Sequence, residues 1–155
     1  MPSRRDQITM SEAEIEAYLT EQRVLNVATI GPTGHPHLVA MWFVLRDGKP
    51  SFWTFGRSQK VVNIRRDDKI TALVESGVSY SELRGVEMTG RAHLIEDRDE
   101  IFAIGKAVAV KYTGPSALGP DSLPFIEAQV GKRIGVVIDV DRWVSWDHTK
   151  LDGAY

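Results

Sequence analysis

The 155-residue sequence contains no cysteine, which excludes disulfide bonds, thiolate metal sites and thiol catalysis. It also lacks a long apolar segment. The longest unbroken apolar run covers residues 38–45, far short of the roughly 20 residues that a membrane-spanning helix needs. The first residues contain no apolar core of the kind found in signal peptides. Together these absences predict a cytoplasmic protein that does not contact a membrane.

A strong net charge is missing as well. The chain has 19 Lys and Arg residues against 21 Asp and Glu residues, a formal charge of −2. This balance argues against a general nucleic-acid-binding domain, because such domains carry a strong basic excess. The length and a hydrophobic content of 43% are typical of one globular domain. We therefore predict a flexible tail over residues 1–9 and a single domain over residues 10–155.

Short apolar segments separated by turn residues predict a β-rich fold. A first helix begins at Ser11, which forms a capping-box pattern with Glu14. The first three strands are joined by short turns, which predicts an antiparallel meander, and short sequential strands favour a closed or half-closed barrel. We expect a mainly β fold with flanking helices (α+β). The six predicted strands are 24–30, 37–44, 51–55, 70–75, 83–95 and 133–139, and the later helices are 59–66, 97–112 and 125–130.

One short segment concentrates positive charge. Residues 55–67 carry four basic side chains and one acid, at the start of a predicted helix capped by Ser58. Free backbone N–H groups and the positive end of the helix dipole meet there, and Arg57 and Lys60 add cations, so the segment suits a phosphate. Two other interpretations stay open: a solvated basic helix surface, or a nucleic-acid patch.

The order of these features resembles the pyridoxamine 5′-phosphate oxidase-like superfamily over residues 10–146, especially its short deazaflavin-dependent branch. The likeness is carried by His35-Pro36-His37, Trp42-Phe43, Asp47-Gly48, Phe52-Trp53-Thr54, Ser58-x-Lys60-x-x-Asn63 and Gly90-Arg91-Ala92. It implies a six-stranded antiparallel split β-barrel of the FMN-binding type, in a homodimer that binds its cofactor between the subunits. Asp68 replaces the usual proline after the basic helix, so the entry into the next strand is expected to differ.

The resemblance also implies roles for individual residues. Arg57, Ser58, Lys60 and Asn63 would hold the cofactor phosphate. Met41, Trp42 and Thr54 would lie along the ring system and ribityl chain of the cofactor. Trp146 and Lys150, near the C-terminus, would reach the cofactor of the other subunit.

The function implied is a coenzyme F420-dependent oxidoreductase that transfers a hydride between the deazaflavin and a small unsaturated or quinone-like substrate. An FMN-dependent oxidase-like protein and a non-catalytic carrier of flavin, F420 or haem are the alternatives, since a fold and a cofactor site do not determine activity. The sequence identifies no catalytic residue. His35 and His37 could ligate a metal from one strand, but no third ligand is evident, and we predict no metal site.

Overall fold

A computed structural model describes residues 3–151 as one seven-stranded antiparallel sheet flanked by helices. Predictions for residues 1–2 and 152–155 lie outside the described residues. The strands are β1 Leu25–Ile30, β2 Pro36–Met41, β3 Val44–Arg46, β4 Lys49–Phe55, β5 Lys69–Ser76, β6 Arg84–Ile95 and β7 Arg133–Asp147. The helices are α1 Arg4–Ile8, α2 Glu12–Glu21, α3 Gln59–Arg66, α4 Arg98–Thr113 and α5 Leu123–Gln129.

Reciprocal caps start both N-terminal helices. At α2, Glu14 N–H donates to the Ser11 hydroxyl and Ser11 N–H donates to the Glu14 carboxylate, so the predicted capping box is confirmed. Ser3 and Asp6 make the same pair of bonds at α1. Residues 4–8, within the segment predicted as a flexible tail, therefore form a helix. One turn and a half of helix is too short to show an apolar period in the sequence.

The sheet order is β2-β1-β5-β6-β7-β4-β3, with every neighbouring pair antiparallel. The predicted mainly β, antiparallel architecture with flanking helices is thus confirmed. Two details are wrong. Residues 3–151 form seven strands rather than six, because the predicted strand 37–44 is interrupted at Trp42 and Phe43. The predicted meander is absent as well, since β4 pairs with β3 and β7 while β2 pairs with β1.

The interruption at Trp42 and Phe43 explains why the sheet curls. Strands β2 and β3 form the two opposite edges of the sheet, yet only these two residues join them. Successive Cα atoms are 3.8 Å apart, so Met41 and Val44 lie at most about 11 Å from each other. The two edges must meet at this point, which rolls the sheet into the predicted half-closed barrel.

The inner face of the rolled sheet forms the core, and α2 covers one end of it. Tyr18 and Leu19 of α2 are fully buried, and the Tyr18 hydroxyl donates to the Arg84 carbonyl oxygen at 3.0 Å. Core side chains from the sheet include Val27, Phe52, Ala72, Val74, Val86, Met88, Val136 and Ile138. Within residues 3–151, no helix is both long and apolar enough to cross a membrane.

Tyr112, in the last turn of α4, stabilises the link between the two sheet edges. Its hydroxyl accepts a hydrogen bond from Phe43 N–H at 2.9 Å and lies 2.7 Å from the Arg23 carbonyl oxygen, to which it donates. Its ring stacks on Trp42 with centroids 4.4 Å apart. The Phe43 side chain points the other way and is fully buried in the core. Helix α4 therefore packs where the barrel closes.

We expect Tyr112→Phe to lower the free energy of unfolding by about 1–3 kcal/mol, because it leaves the Phe43 N–H without its acceptor while keeping the stacked ring. Urea denaturation followed by tryptophan fluorescence measures the change. The matched control, Thr113→Val, removes a hydroxyl from an exposed neighbour on the same helix and should change stability by less than about 0.5 kcal/mol. Equal effects of the two substitutions would contradict this account of the link.

Candidate functional site

Helix α3 begins directly after β4, and backbone hydrogen bonds hold the turn between them. Ser58 N–H donates to the Phe55 carbonyl at 3.0 Å, and Gly56 N–H donates to the Lys132 carbonyl at 3.0 Å. Ser58 is the N-cap residue, as predicted, but its side chain makes no capping bond. Its hydroxyl lies instead 3.5 Å from Thr54 Oγ1. The turn thus leaves a hydroxyl available next to the free end of the helix.

A buried lysine occupies the first turn of α3. Lys60 is only 9% exposed, and its Nζ donates to the Thr54 hydroxyl at 3.1 Å. Within residues 3–151, Lys60 forms no ion pair with a carboxylate. Removing an ammonium group from water without an anion is costly. Burial accordingly lowers the pKa of Lys60.

A second cation, Arg133, adds to this environment. The strand register places Arg133 opposite Phe55, and its guanidinium lies 4.3 Å from the Phe55 ring centroid and 4.9 Å from that of Trp53. Its Nε atom is buried and has no hydrogen-bond partner among residues 3–151. The charge of Arg133 further lowers the pKa of Lys60, after the larger effect of burial. Hereafter Thr54, Ser58, Lys60 and Arg133 are called the Lys60 cluster.

A cavity of about 700 Å³ lies beside the Lys60 cluster and shares Arg133 with it. Arg57 and Lys132 add two more cations to its wall, and Phe55 and Glu96 are also among the lining residues. Arg57 forms no ion pair with any residue in the described part of the chain. Arg57 therefore adds a further positive charge close to Arg133 and Lys132. An anionic group bound in the cavity would reduce the repulsion between these cations.

Asn63, predicted to hold the phosphate, is fully buried on the inner side of α3. Its Nδ2 donates to the Thr29 hydroxyl at 3.0 Å, and its Oδ1 accepts from Gln59 Nε2 at 2.8 Å. Arg66, on the same helix, donates to the backbone carbonyl of Ile30. These contacts attach α3 to β1. Asn63 is not among the residues that line the cavity beside the Lys60 cluster.

Met41 and Trp42 lie towards the other end of β1. Met41 pairs with Leu25, whereas the Asn63 contact is at Thr29, a distance of about 13 Å along the strand. Trp42 is exposed and stacks on Tyr112. The structure therefore separates these two predicted ring contacts from the Lys60 cluster.

Trp146 lies near the end of β7 that is opposite to Arg133, and Lys150 lies just beyond that end. Trp146 packs over Gly85, where an added Cβ would lie 2.1 Å from Trp146 Cζ2. Lys150 donates to the Thr9 carbonyl at 2.9 Å and to the Glu14 carboxylate at 2.8 Å, and this hydrogen bond is the main reason that the pKa of Glu14 falls to about 2. Within a single subunit, neither Trp146 nor Lys150 contacts the Lys60 cluster in the described part of the chain. Their contact with the cofactor of a second subunit stays a prediction.

The sequence prediction assigned Ser58 and Lys60 to the phosphate and Thr54 to the ring system and ribityl chain, whereas the structure places all three together. The prediction did not include Arg133. No local pattern connects Arg133 to residues 54–60, because only the register of β4 against β7 places it there. Within residues 3–151, no three His, Asp or Glu side chains come together in a metal-binding group.

We expect Lys60→Met to leave the unliganded protein as stable as the wild type at pH 7, or more stable. The pKa of Lys60 is lowered in the folded state, so the unfolded chain binds more protons between the two pKa values and wild-type stability rises with pH there. The difference in the free energy of unfolding between Lys60→Met and the wild type should thus shrink as the pH rises from 7 to 10. Urea unfolding at pH 7 and at pH 10 measures this difference. A stability gain of the variant that grows with pH would contradict the expectation.

The family model described as pyridoxamine 5′-phosphate oxidase matches residues 11–147. A search of the curated proteins found no match.

Among solved structures, the conserved hypothetical protein Rv2991 of Mycobacterium tuberculosis superposes with a TM-score of 0.92 and 40% identity, over 99% of this chain and 95% of that one. An F420 reductase superposes with a TM-score of 0.63 and 22% identity, over 83% and 94% of the two chains. The haem storage protein HutZ of Vibrio cholerae superposes with a TM-score of 0.67 and 13% identity, over 86% of this chain and 94% of that one. The last two show a shared fold. The match over residues 11–147 shows that this chain belongs to the pyridoxamine 5′-phosphate oxidase family.

Proposed function

We propose that this protein is an oxidoreductase that binds coenzyme F420 through the Lys60 cluster. The observation that carries the proposal is the buried ammonium group of Lys60, which lies beside Arg133 and forms no ion pair with a carboxylate within residues 3–151. Two desolvated cations repel each other until an anion lies between them. A phosphate monoester or diester supplies that anion, together with acceptor oxygens for both side chains.

The residues present fit a phosphorylated cofactor. Thr54 and Ser58 offer hydroxyl donors next to Lys60 Nζ, and the Arg133 Nε–H has no hydrogen-bond partner in the described part of the chain. Arg57 borders the neighbouring cavity, where a further acidic group of the cofactor would find a cation. A deazaflavin bound here supplies hydride chemistry, and the protein binds and orients it.

The Lys60 cluster would hold the phosphate of either F420 or FMN. The preference for F420 is supported by the resemblance of the compact chain to the deazaflavin-dependent branch and by the fold that it shares with the F420 reductase. The substrate we propose is a small unsaturated or quinone-like compound placed against the ring. A cofactor carrier without turnover is the second candidate, in view of the fold shared with a haem storage protein.

We expect Lys60→Ala to weaken F420 binding by about 1.5–3 kcal/mol, roughly 10- to 150-fold in Kd, since it removes one charge-assisted hydrogen bond to phosphate. Fluorescence titration with F420, and separately with FMN, measures the change. The control is Lys69→Ala, which removes the same charge from a side chain that is 65% exposed.

Tight binding of F420 that is weakened in Lys60→Ala but not in Lys69→Ala would support the proposal. Tighter binding of FMN than of F420 would favour the flavin-dependent alternative. If the protein bound neither F420 nor FMN, both interpretations would be rejected. Reduced F420 mixed with a quinone then separates the two candidate functions, because a carrier would bind the cofactor without oxidising it.

We further propose that two subunits pack through the outer face of β1 and β2. Side chains alternate along β2, and Leu38, on its outward side, is 67% exposed. Ile30 of β1 is 37% exposed beside it in the same sheet. Exposed apolar side chains that lie next to each other can mark a protein–protein interface. A dimer through this face would give Trp146 and Lys150 a second subunit to reach.

We expect Leu38→Glu to weaken the dimer, because it would bury a charge in the apolar interface. Size-exclusion chromatography with light scattering gives the mass at several protein concentrations. Val78→Glu is the matched control, since Val78 is 97% exposed in the connection between β5 and β6. A dimer that survives Leu38→Glu as well as it survives Val78→Glu would place the interface elsewhere.

A further inference from the structure

Trp143 is partly exposed although it belongs to the inner face of the sheet. The strand register places Trp143 opposite Met88, and directly opposed residues of antiparallel strands share a face. Met88 is fully buried in the core, whereas Trp143 is 38% exposed. Ser145 lies opposite the fully buried Val86, so it shares the same inner face. The core therefore does not fill the barrel at this end of β7.

A cavity of about 570 Å³ is lined by Trp143 and Ser145. Helix α2 forms a second wall, where Ile15 and Leu19 are about one turn apart and lie on one helix face. Leu45 of β3 adds a further apolar side chain. The volume is in the range of small-molecule sites, which occur in the mouths of β-barrels and have mostly apolar walls with few polar groups.

The charged residues that line this cavity balance each other. Arg5 and Arg142 carry two positive charges, and Glu12 and Glu16 carry two negative charges. A wall without net charge attracts neither anions nor cations over a distance. The cavity thus differs from the cation-rich one beside the Lys60 cluster, and it suits an uncharged ligand.

Ser145 offers a polar group that would orient such a ligand. Its Oγ accepts a hydrogen bond from Met10 N–H at 3.0 Å, but its own O–H has no acceptor among residues 3–151. Thr9 also lines the cavity, but its hydroxyl donates to the Arg5 carbonyl oxygen at 2.8 Å. Since a serine hydroxyl carries one donor in addition to its acceptor sites, Ser145 can still donate to an acceptor oxygen.

We propose that this cavity binds an uncharged aromatic carbonyl compound. The aromatic ring packs against the indole of Trp143 and the side chains of Ile15 and Leu19, because aromatic pairs gain more than their buried area. The carbonyl oxygen of the ligand accepts the free hydrogen bond of Ser145. No residue of the Lys60 cluster lines this cavity, and Arg133 lies at the other end of β7. The proposal is therefore independent of F420 or FMN binding.

NMR spectroscopy of the full-length, ¹⁵N-labelled protein tests the proposal, because the four tryptophans give four indole N–H signals. The probe is 2-acetylnaphthalene, and Trp143→Phe identifies the signal of Trp143. We expect the ketone to shift this signal saturably and more than the signals of the other three indoles.

A matched ligand tests the hydrogen bond from Ser145. In 2-isopropenylnaphthalene a CH₂ group replaces the carbonyl oxygen and the shape is kept. We expect this hydrocarbon to bind about 2- to 12-fold more weakly than the ketone, since one neutral hydrogen bond is lost. A merely apolar surface would give the opposite order, because the hydrocarbon gains more from leaving water.

Two variants separate the hydroxyl from the cavity. Ser145→Ala should remove the preference for the ketone over the hydrocarbon. Ile15→Phe should weaken the binding of both ligands by filling the cavity, whereas Val62→Phe should not, because Val62 is exposed on α3 and does not line the cavity.

Three results would overturn the proposal even if neither cavity variant folds. The first is binding of the hydrocarbon to the wild type as tightly as the ketone, and the second is an equal shift of all four indole signals. The third is a shift of the Trp143 signal with protein concentration alone, because a second copy of the chain would then cover the cavity.

Discussion

The architecture depends on the two-residue link between β2 and β3. Trp42 and Phe43 join strands that lie at opposite edges of the sheet, so the sheet must roll until its edges meet. Burial of the Phe43 ring and the hydrogen bond from its N–H to Tyr112 stabilise the closed form. The same roll places β4 beside β7, and this pairing brings Arg133 to Lys60. The cation cluster is thus a result of how the sheet closes.

Local signals in the sequence were sufficient for much of the fold. The cap at Ser11, the bounds of α3 and the long β6 follow from side-chain pattern and turn residues. The interruption at Trp42–Phe43 could not be read in the same way, because both residues are typical of a strand. The meander prediction failed for a related reason: β4 pairs with a strand from the end of the chain, and no local pattern encodes that choice.

For the candidate site, too, the sequence could predict contacts between residues that are close in the chain but not contacts between distant strands. Thr54, Ser58 and Lys60 are close in sequence, so helix and strand geometry brings them together. Asn63 lies on the same helix but faces inwards, where Thr29 of a distant strand accepts its hydrogen bond. Burial lowers the pKa of both Lys60 and Lys111. The Lys60 amine lies next to hydroxyl groups, which suit an anion, whereas the Lys111 amine lies against the Leu19 carbonyl oxygen and the Phe43 ring. Holding cations in such places lowers stability, a common cost of functional sites.

The pairing of Phe55 with Arg133 also has a consequence for the order in which the chain folds. Lys60 and its helix leave the ribosome long before the strand that carries Arg133, since synthesis proceeds from the N-terminus. The β1–β2 and β3–β4 hairpins are local and can form early, but β4 has no second neighbour until β7 emerges. Contacts between distant segments form slowly because a long loop must close first. The nascent chain therefore lacks Arg133 beside Lys60, and the complete anion site arises only once the last strand has been made.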